Sequence, residues 1–182
     1  MKAYEELYYL VFDSLHKFSY SFVKSSEVAE EIVSDVFIKV WQIRGRLAEI
    51  DNLKVYLFTI AKNFSLNYIH KNYKNIPLSL DDMDIEAAVS MPDPEELFIS
   101  AEMMERIRQT IQQLPPQCRL VFQLIKEDGL KYKEAADVLN LSVLTVRNQL
   151  AIAVRKIAHT LPAYIKTTPV KKFSVTRFLK FF

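Results

Sequence analysis

The stretch Tyr132-Lys-Glu-Ala-Ala-Asp-Val-Leu-Asn140-Leu-Ser-Val-Leu-Thr-Val-Arg147-Asn-Gln-Leu150 decides how this chain is read. Ala136 is small where a second helix must cross closely, and Leu139 and Leu141 bracket a break in the apolar pattern. Asn140, between them, is one of the few non-glycine residues that tolerates a left-handed backbone. Ser142 then stands where its hydroxyl can cap a following helix by accepting from the amide near Thr145. Together these features predict a helix-turn-helix.

On the second helix Val146 and Leu150 lie four apart and face the core, which leaves Arg147, Asn148, Gln149 and Ala151 on the other faces. Arginine donates two bonds to guanine, and asparagine and glutamine pair bidentately with adenine. The first turns of such a helix enter the major groove first, so these residues are candidate base readers. Arg155 and Lys156 further along, and Lys131 and Lys133 before the first helix, are placed to hold phosphates.

The whole chain has 182 residues, enough for one compact domain or two small ones. Half of them are hydrophobic and a quarter charged, an ordinary globular balance. Gly45 and Gly129 are the only glycines, so no glycine-rich loop can cradle a nucleotide phosphate. Cys118 stands alone and His16, His70 and His159 are scattered, which excludes a disulfide framework and a Cys/His metal cluster. No nucleophile-base set or paired carboxylate stands out, so neither an enzyme nor a cofactor or small-molecule substrate is expected. Glu5 and Glu6 occupy the place where a signal peptide carries positive charge, and no apolar run approaches the roughly 18 residues of a membrane span. The expected location is the cytoplasm.

Upstream, three helices are predicted from apolar residues at three- and four-residue steps. The first runs through Tyr4, Leu7, Tyr8, Val11, Phe12, Leu15, Phe18 and Phe22, and the second through Val28, Ile32, Val33, Phe37, Val40 and Trp41. The third joins Leu53, Leu57, Ile60, Ala61, Phe64 and Tyr68. In the second half Ile107, Ile111 and Leu114 predict a helix ending near Pro115, and Leu120, Val121, Leu124 and Ile125 one that closes at Asp128-Gly129. The fold class is all-α.

Charge is segregated along the chain. Residues 75–105 hold nine acids and no base, together with Pro77, Pro92 and Pro94, whereas from Arg106 onward fourteen bases face four acids. An acidic, proline-bearing stretch reads as an extended flexible linker. The expected organisation is therefore a helical domain over 1–74, the linker over 75–100, the helix-turn-helix domain over 101–161, and a basic tail over 162–182. That tail holds Lys166, Lys171, Lys172, Arg177 and Lys180 with Phe173, Phe178, Phe181 and Phe182, and no acid.

On these residues the chain resembles the extracytoplasmic-function (ECF) group of the sigma-70 family, the short initiation subunits of bacterial RNA polymerase. Leu114-Pro115-Pro116, Arg119, Val121-Phe122, Gly129-Leu130, Tyr132 to Ala136 and Ser142 to Arg147 resemble sigma region 4. Ala29 to Trp41, Asn52-Leu53, Tyr56 to Phe58 and Ile60 to Asn63 resemble sigma region 2.

The resemblance implies two small helical domains that bind core RNA polymerase and promoter DNA. It puts Glu31, Asp35, Phe37 and Trp41 on the polymerase-docking helix, where core packing is the competing role for both aromatic residues. It puts the minus-ten reader in the loop from Arg44 to Asn52 and the helix after it. There Asn52, Lys54, Tyr56, Lys62, Asn63, Asn67, Tyr68, His70 and Lys71 supply partners for unstacked bases and for the strand backbone. The minus-thirty-five reader corresponds to Lys133, Ser142, Thr145, Arg147, Asn148, Gln149, Arg155 and Lys156. An anti-sigma partner, often membrane-linked in this family, is implied as well.

The sequence departs from the family where Tyr56, Phe58 and Thr59 replace a frequent tryptophan, tyrosine and arginine. It departs again where Ala151 and Ile152 replace a histidine and a base on the recognition helix. The expected function is promoter-directed initiation, with a free-standing helix-turn-helix regulator as the alternative. A helical interaction protein, using the helix-turn-helix only for packing, is the third reading.

Overall fold

The computed structural model describes residues 2–72 and 101–160, all of whose regular elements are helical. The linker and tail expectations lie outside the described residues. Three helices form the first half: α1 (Lys2–Val23), α2 (Ser26–Gln42) and α3 (Leu53–Asn72). The Ser25 hydroxyl accepts from the Val28 amide at 3.3 Å and starts α2. The segment expected as a loop after α2 is wound into a 3-10 helix over Arg44–Glu49. Asn52 then caps α3, its Oδ1 accepting from the Val55 amide at 3.1 Å.

Leu15, Phe18 and Phe22 of α1, Val33, Val36 and Val40 of α2, and Leu57, Phe58 and Ala61 of α3 are buried together. The rings of Phe18 and Phe58 meet edge to face at 5.1 Å.

The second half contains α4 (Ala101–Gln112), α5 (Pro116–Phe122), α6 (Tyr132–Leu139) and α7 (Val143–Thr160). Pro115 separates α4 from α5, and the Arg119 guanidinium fastens the break by donating to the carbonyls of Gln112 and Leu114. After α5 the chain widens into a π turn over Gln123–Glu127, and Gly129, at φ +70, releases it. The amide of Leu130 returns to the Leu124 carbonyl at 2.8 Å.

Ile107, Ile111, Leu120, Val121, Leu139, Val146, Leu150 and Ile157 make the core of this half. Contacts between α3 and α6 then join both halves into one continuous apolar cluster, which sequence periodicity does not foresee. Among the described residues no helix is long and apolar enough to cross a membrane, and no group of three His, Cys, Asp or Glu side chains is set to hold a metal.

Candidate nucleic-acid interface

The helix-turn-helix is built as its residues dictate. Glu134 of α6 accepts from the Lys131 amide at 2.8 Å and so caps its own helix. Asn140 adopts φ 57 and ψ 45, the left-handed conformation that turns the chain, and the Leu141 amide reaches the Ala136 carbonyl at 3.0 Å. The Ser142 hydroxyl caps α7 by accepting from the Thr145 amide at 2.9 Å, and the two hydroxyls of this pair lie 2.7 Å apart.

The solvent face of α7 carries Leu144, Arg147, Asn148, Ala151, Ile152, Arg155 and Lys156. Arg147 lies with its guanidinium 5.7 Å from the centre of the Tyr132 ring, a cation-π contact that orients it before any ligand arrives. Lys133, next to Tyr132 on α6, is exposed. Gln149 differs from its neighbours. Its amide donates to Gln117 Oε1 at 2.7 Å and its oxygen accepts from the Cys118 thiol at 2.7 Å, so both polar ends are engaged inside the domain.

On α2 the two aromatic candidates part company. Phe37 is 3% exposed, packed by the rings of Tyr4 and Tyr8, and its carbonyl accepts from the Tyr4 hydroxyl at 2.7 Å. Trp41 is 44% exposed, with the Arg44 guanidinium 4.8 Å above its ring. Phe37 is thus a core side chain, and the surface of α2 presents Trp41 with Glu31 and Asp35, which share an open acidic depression with Glu27, Glu30 and Ser34.

Asn63, Asn67, His70 and Lys71 line an exposed face of α3 at helical spacing. Lys62 is nearly buried, and desolvation holds its ammonium below the usual lysine range. Tyr56 lines a cleft of about 250 Å³ with Ile43, Arg46, Glu49 and Ile50, under the 3-10 helix. A second cleft of about 240 Å³ runs between α2 and α3, with Glu31 and Asp35 on one wall and Asn67, Tyr68 and Lys71 on the other.

The first two minus-ten candidates face the other half. Asn52 Nδ2 donates to Glu134 Oε1 at 3.0 Å, and the Lys54 ammonium donates to the Asp128 carbonyl. Asp128 itself is 7% exposed at this seam. Its carboxyl takes a hydrogen bond from Ser14 and feels the charges of Lys54 and Lys17, but desolvation outweighs them and pushes its pKa from 3.8 up to about 6. Sequence reasoning missed Asp128 and Glu134 because an acid before glycine and an acid in a first turn both read as local helix punctuation.

With this geometry in view, comparison with known families is decisive. Residues 7–74 match the family model for sigma-70 region 2, and residues 104–157 that for sigma-70 region 4. The chain belongs to the sigma-70 family. Region 2 holds α1 to α3 with the acidic face of α2, and region 4 holds the helix-turn-helix.

Among sigma-70 family relatives, the ECF RNA polymerase sigma-E factor of Escherichia coli K12 is 29% identical over 136 residues, 71% of each chain. The RNA polymerase sigma-H factor of Pseudomonas aeruginosa PAO1 is 26% identical over the same length, 71% of this chain and 70% of that one. The same fold is seen in the sigma factor RpoE of Bartonella quintana, solved in complex with the anti-sigma factor NepR. There the TM-score is 0.63 at 23% identity, over 90% of this chain and 99% of that one. CnrH, solved with the cytosolic domain of CnrY, gives 0.53 at 22% identity over 90% of each chain.

Proposed function

We propose that this chain is an ECF-type sigma factor that binds core RNA polymerase, recognises a promoter through both halves and enables the polymerase to initiate transcription. The observation that carries this reading is that one chain holds both family regions, each with part of its candidate interaction residues on a solvent face. Region 2 offers Glu31, Asp35 and Trp41 on α2, and region 4 offers an acid-free α7 fronted by Arg147 and Asn148. The acidic surface of α2 suits a basic partner surface, and an exposed tryptophan is a residue type enriched at interface hot spots.

In this reading the cleft beside Tyr56 and the Asn63 to Lys71 face of α3 take the melted minus-ten strand. Arg147 and Asn148 read the minus-thirty-five major groove, with Lys133, Arg155 and Lys156 on phosphates. The chain performs no bond chemistry itself; the polymerase does, in the cytoplasm.

The seam between the halves supports a resting state for the free chain. Asn52 and Lys54 donate across the seam to Glu134 and Asp128 respectively, which holds these minus-ten candidates against region 4. An anti-sigma partner, like the one bound to the Bartonella quintana sigma factor, would act by covering such a closed form.

The deciding test is co-elution of the purified chain with core RNA polymerase, set against Asp35→Arg with its helicity checked by circular dichroism. Binding by the wild type and loss in the variant support the reading. No binding by either, with duplex DNA shifted by the chain alone, would replace it with the free-standing regulator.

A further inference from the structure

Leu144 is 66% exposed in the first turn of α7, among the most exposed large apolar side chains of the described residues. The core does not require it there, because Val146 is buried and Val143 is already partly buried against the same cluster. Leu144, Arg147, Asn148 and Ala151 follow at three- and four-residue steps, so the leucine heads the same stripe as the two polar candidates. Along the 18 residues of α7 there is no acid, and Arg155 and Lys156 extend its exposed face. Lys131 and Lys133 are exposed on either side in sequence of Tyr132, whose ring meets Arg147. The occupant that fits such a surface is a polyanion presenting apolar groups between its charges.

Duplex DNA does so at one kind of base. In the major groove only thymine carries a methyl group, at its C5, and side-chain carbon contacts are the means of reading it. The polar alternatives on this helix are limited. Gln149 is bound inward at both ends, and Ala151 and Ile152, the latter 39% exposed, offer no hydrogen bonds. We propose that Leu144 is a specificity-determining residue that packs on the 5-methyl group of a thymine in the minus-thirty-five element, one turn ahead of the bases met by Arg147 and Asn148. This inference rests on the sigma reading above, because it takes α7 as the groove helix. The Ser142 cap holds that first turn in place, so the leucine is presented in a defined position.

The test uses the full-length chain with core polymerase. The preferred minus-thirty-five element is first enriched from duplexes randomised in that segment. Each thymine of the element is then replaced singly by uracil, which keeps the base pair and all its hydrogen-bonding groups and deletes only the methyl. At one position uracil is expected to weaken wild-type binding about fourfold, the worth of one buried methyl group. Leu144→Ala is expected to bind thymine and uracil duplexes equally, with its helicity unchanged by circular dichroism. The proposal is overturned if the element lacks thymine, if no uracil weakens the wild type, or if Leu144→Ala keeps the discrimination. Failure of the underlying reading looks different: no element is enriched, or Arg147→Ala leaves binding to it unchanged.

Discussion

Asp128→Asn should stabilise this protein at neutral pH, although it removes a charge that lies near two lysines. The folded chain holds Asp128 at a pKa of about 6, against 3.8 when solvated, because burial between the halves penalises the carboxylate more than Lys54 and Lys17 relieve it. The folded state therefore binds this proton more tightly than the unfolded one. Its contribution is most favourable below pH 3.8 and is lost as the pH rises through about 6. The difference of about two pKa units corresponds to about 3 kcal/mol at pH 7.5, at 1.36 kcal/mol per unit.

Asparagine keeps the shape and cannot ionise, so urea unfolding at pH 7.5 should show the variant more stable by up to about 3 kcal/mol. At pH 5 the gain should fall to roughly half, and near pH 4 the two proteins should converge. A variant no more stable than wild type at pH 7.5 would show that Lys54 and Lys17 hold the carboxylate favourably. A gain independent of pH would show that the effect is not ionisation.

Three further outcomes follow from the same structure. Lys54→Ala removes the donor to the Asp128 carbonyl and a cation near its carboxyl, so the Asp128 titration should move to higher pH, as read by the same pH series. Asn140→Ala should cost about 1 kcal/mol through its left-handed backbone while Asn140→Gly is tolerated, a difference of several degrees in melting temperature. Phe37→Ala should cost about 3 kcal/mol or more in urea unfolding. Trp41→Ala loses an edge-to-face contact with Tyr4 at 5.2 Å and the Arg44 cation-π contact, so it should cost stability, though less than Phe37→Ala, and weaken co-elution with core polymerase.

The helices are legible in the sequence because each depends on near neighbours. Apolar residues at three- and four-residue steps mark α1 to α3, Pro115 breaks the chain between α4 and α5, and Asn140 and Ser142 shape the turn and cap through bonds spanning five residues or fewer. The family resemblance is legible for the same reason, since its motifs lie within single helices. The winding of Arg44 to Glu49 is not, because nothing in its apolar spacing separates a 3-10 helix from a loop.

What the sequence determined by itself was the all-helical class, the helix-turn-helix and the stock of basic and amide side chains on α7. Only the tertiary structure decided which of those side chains are available. Periodicity places Phe37 and Trp41 on one helix four residues apart, but Tyr4 and Tyr8, from α1, bury the first, whereas the second meets only the edge of Tyr4 and stays 44% exposed. Gln149 reads as a groove residue until Gln117 and Cys118, some thirty positions earlier, claim both its ends. Asn52 and Lys54 meet Glu134 and Asp128 across more than seventy residues of chain. Backbone bonding and local periodicity are written within a few residues, whereas burial and pairing are properties of whichever distant element arrives beside them.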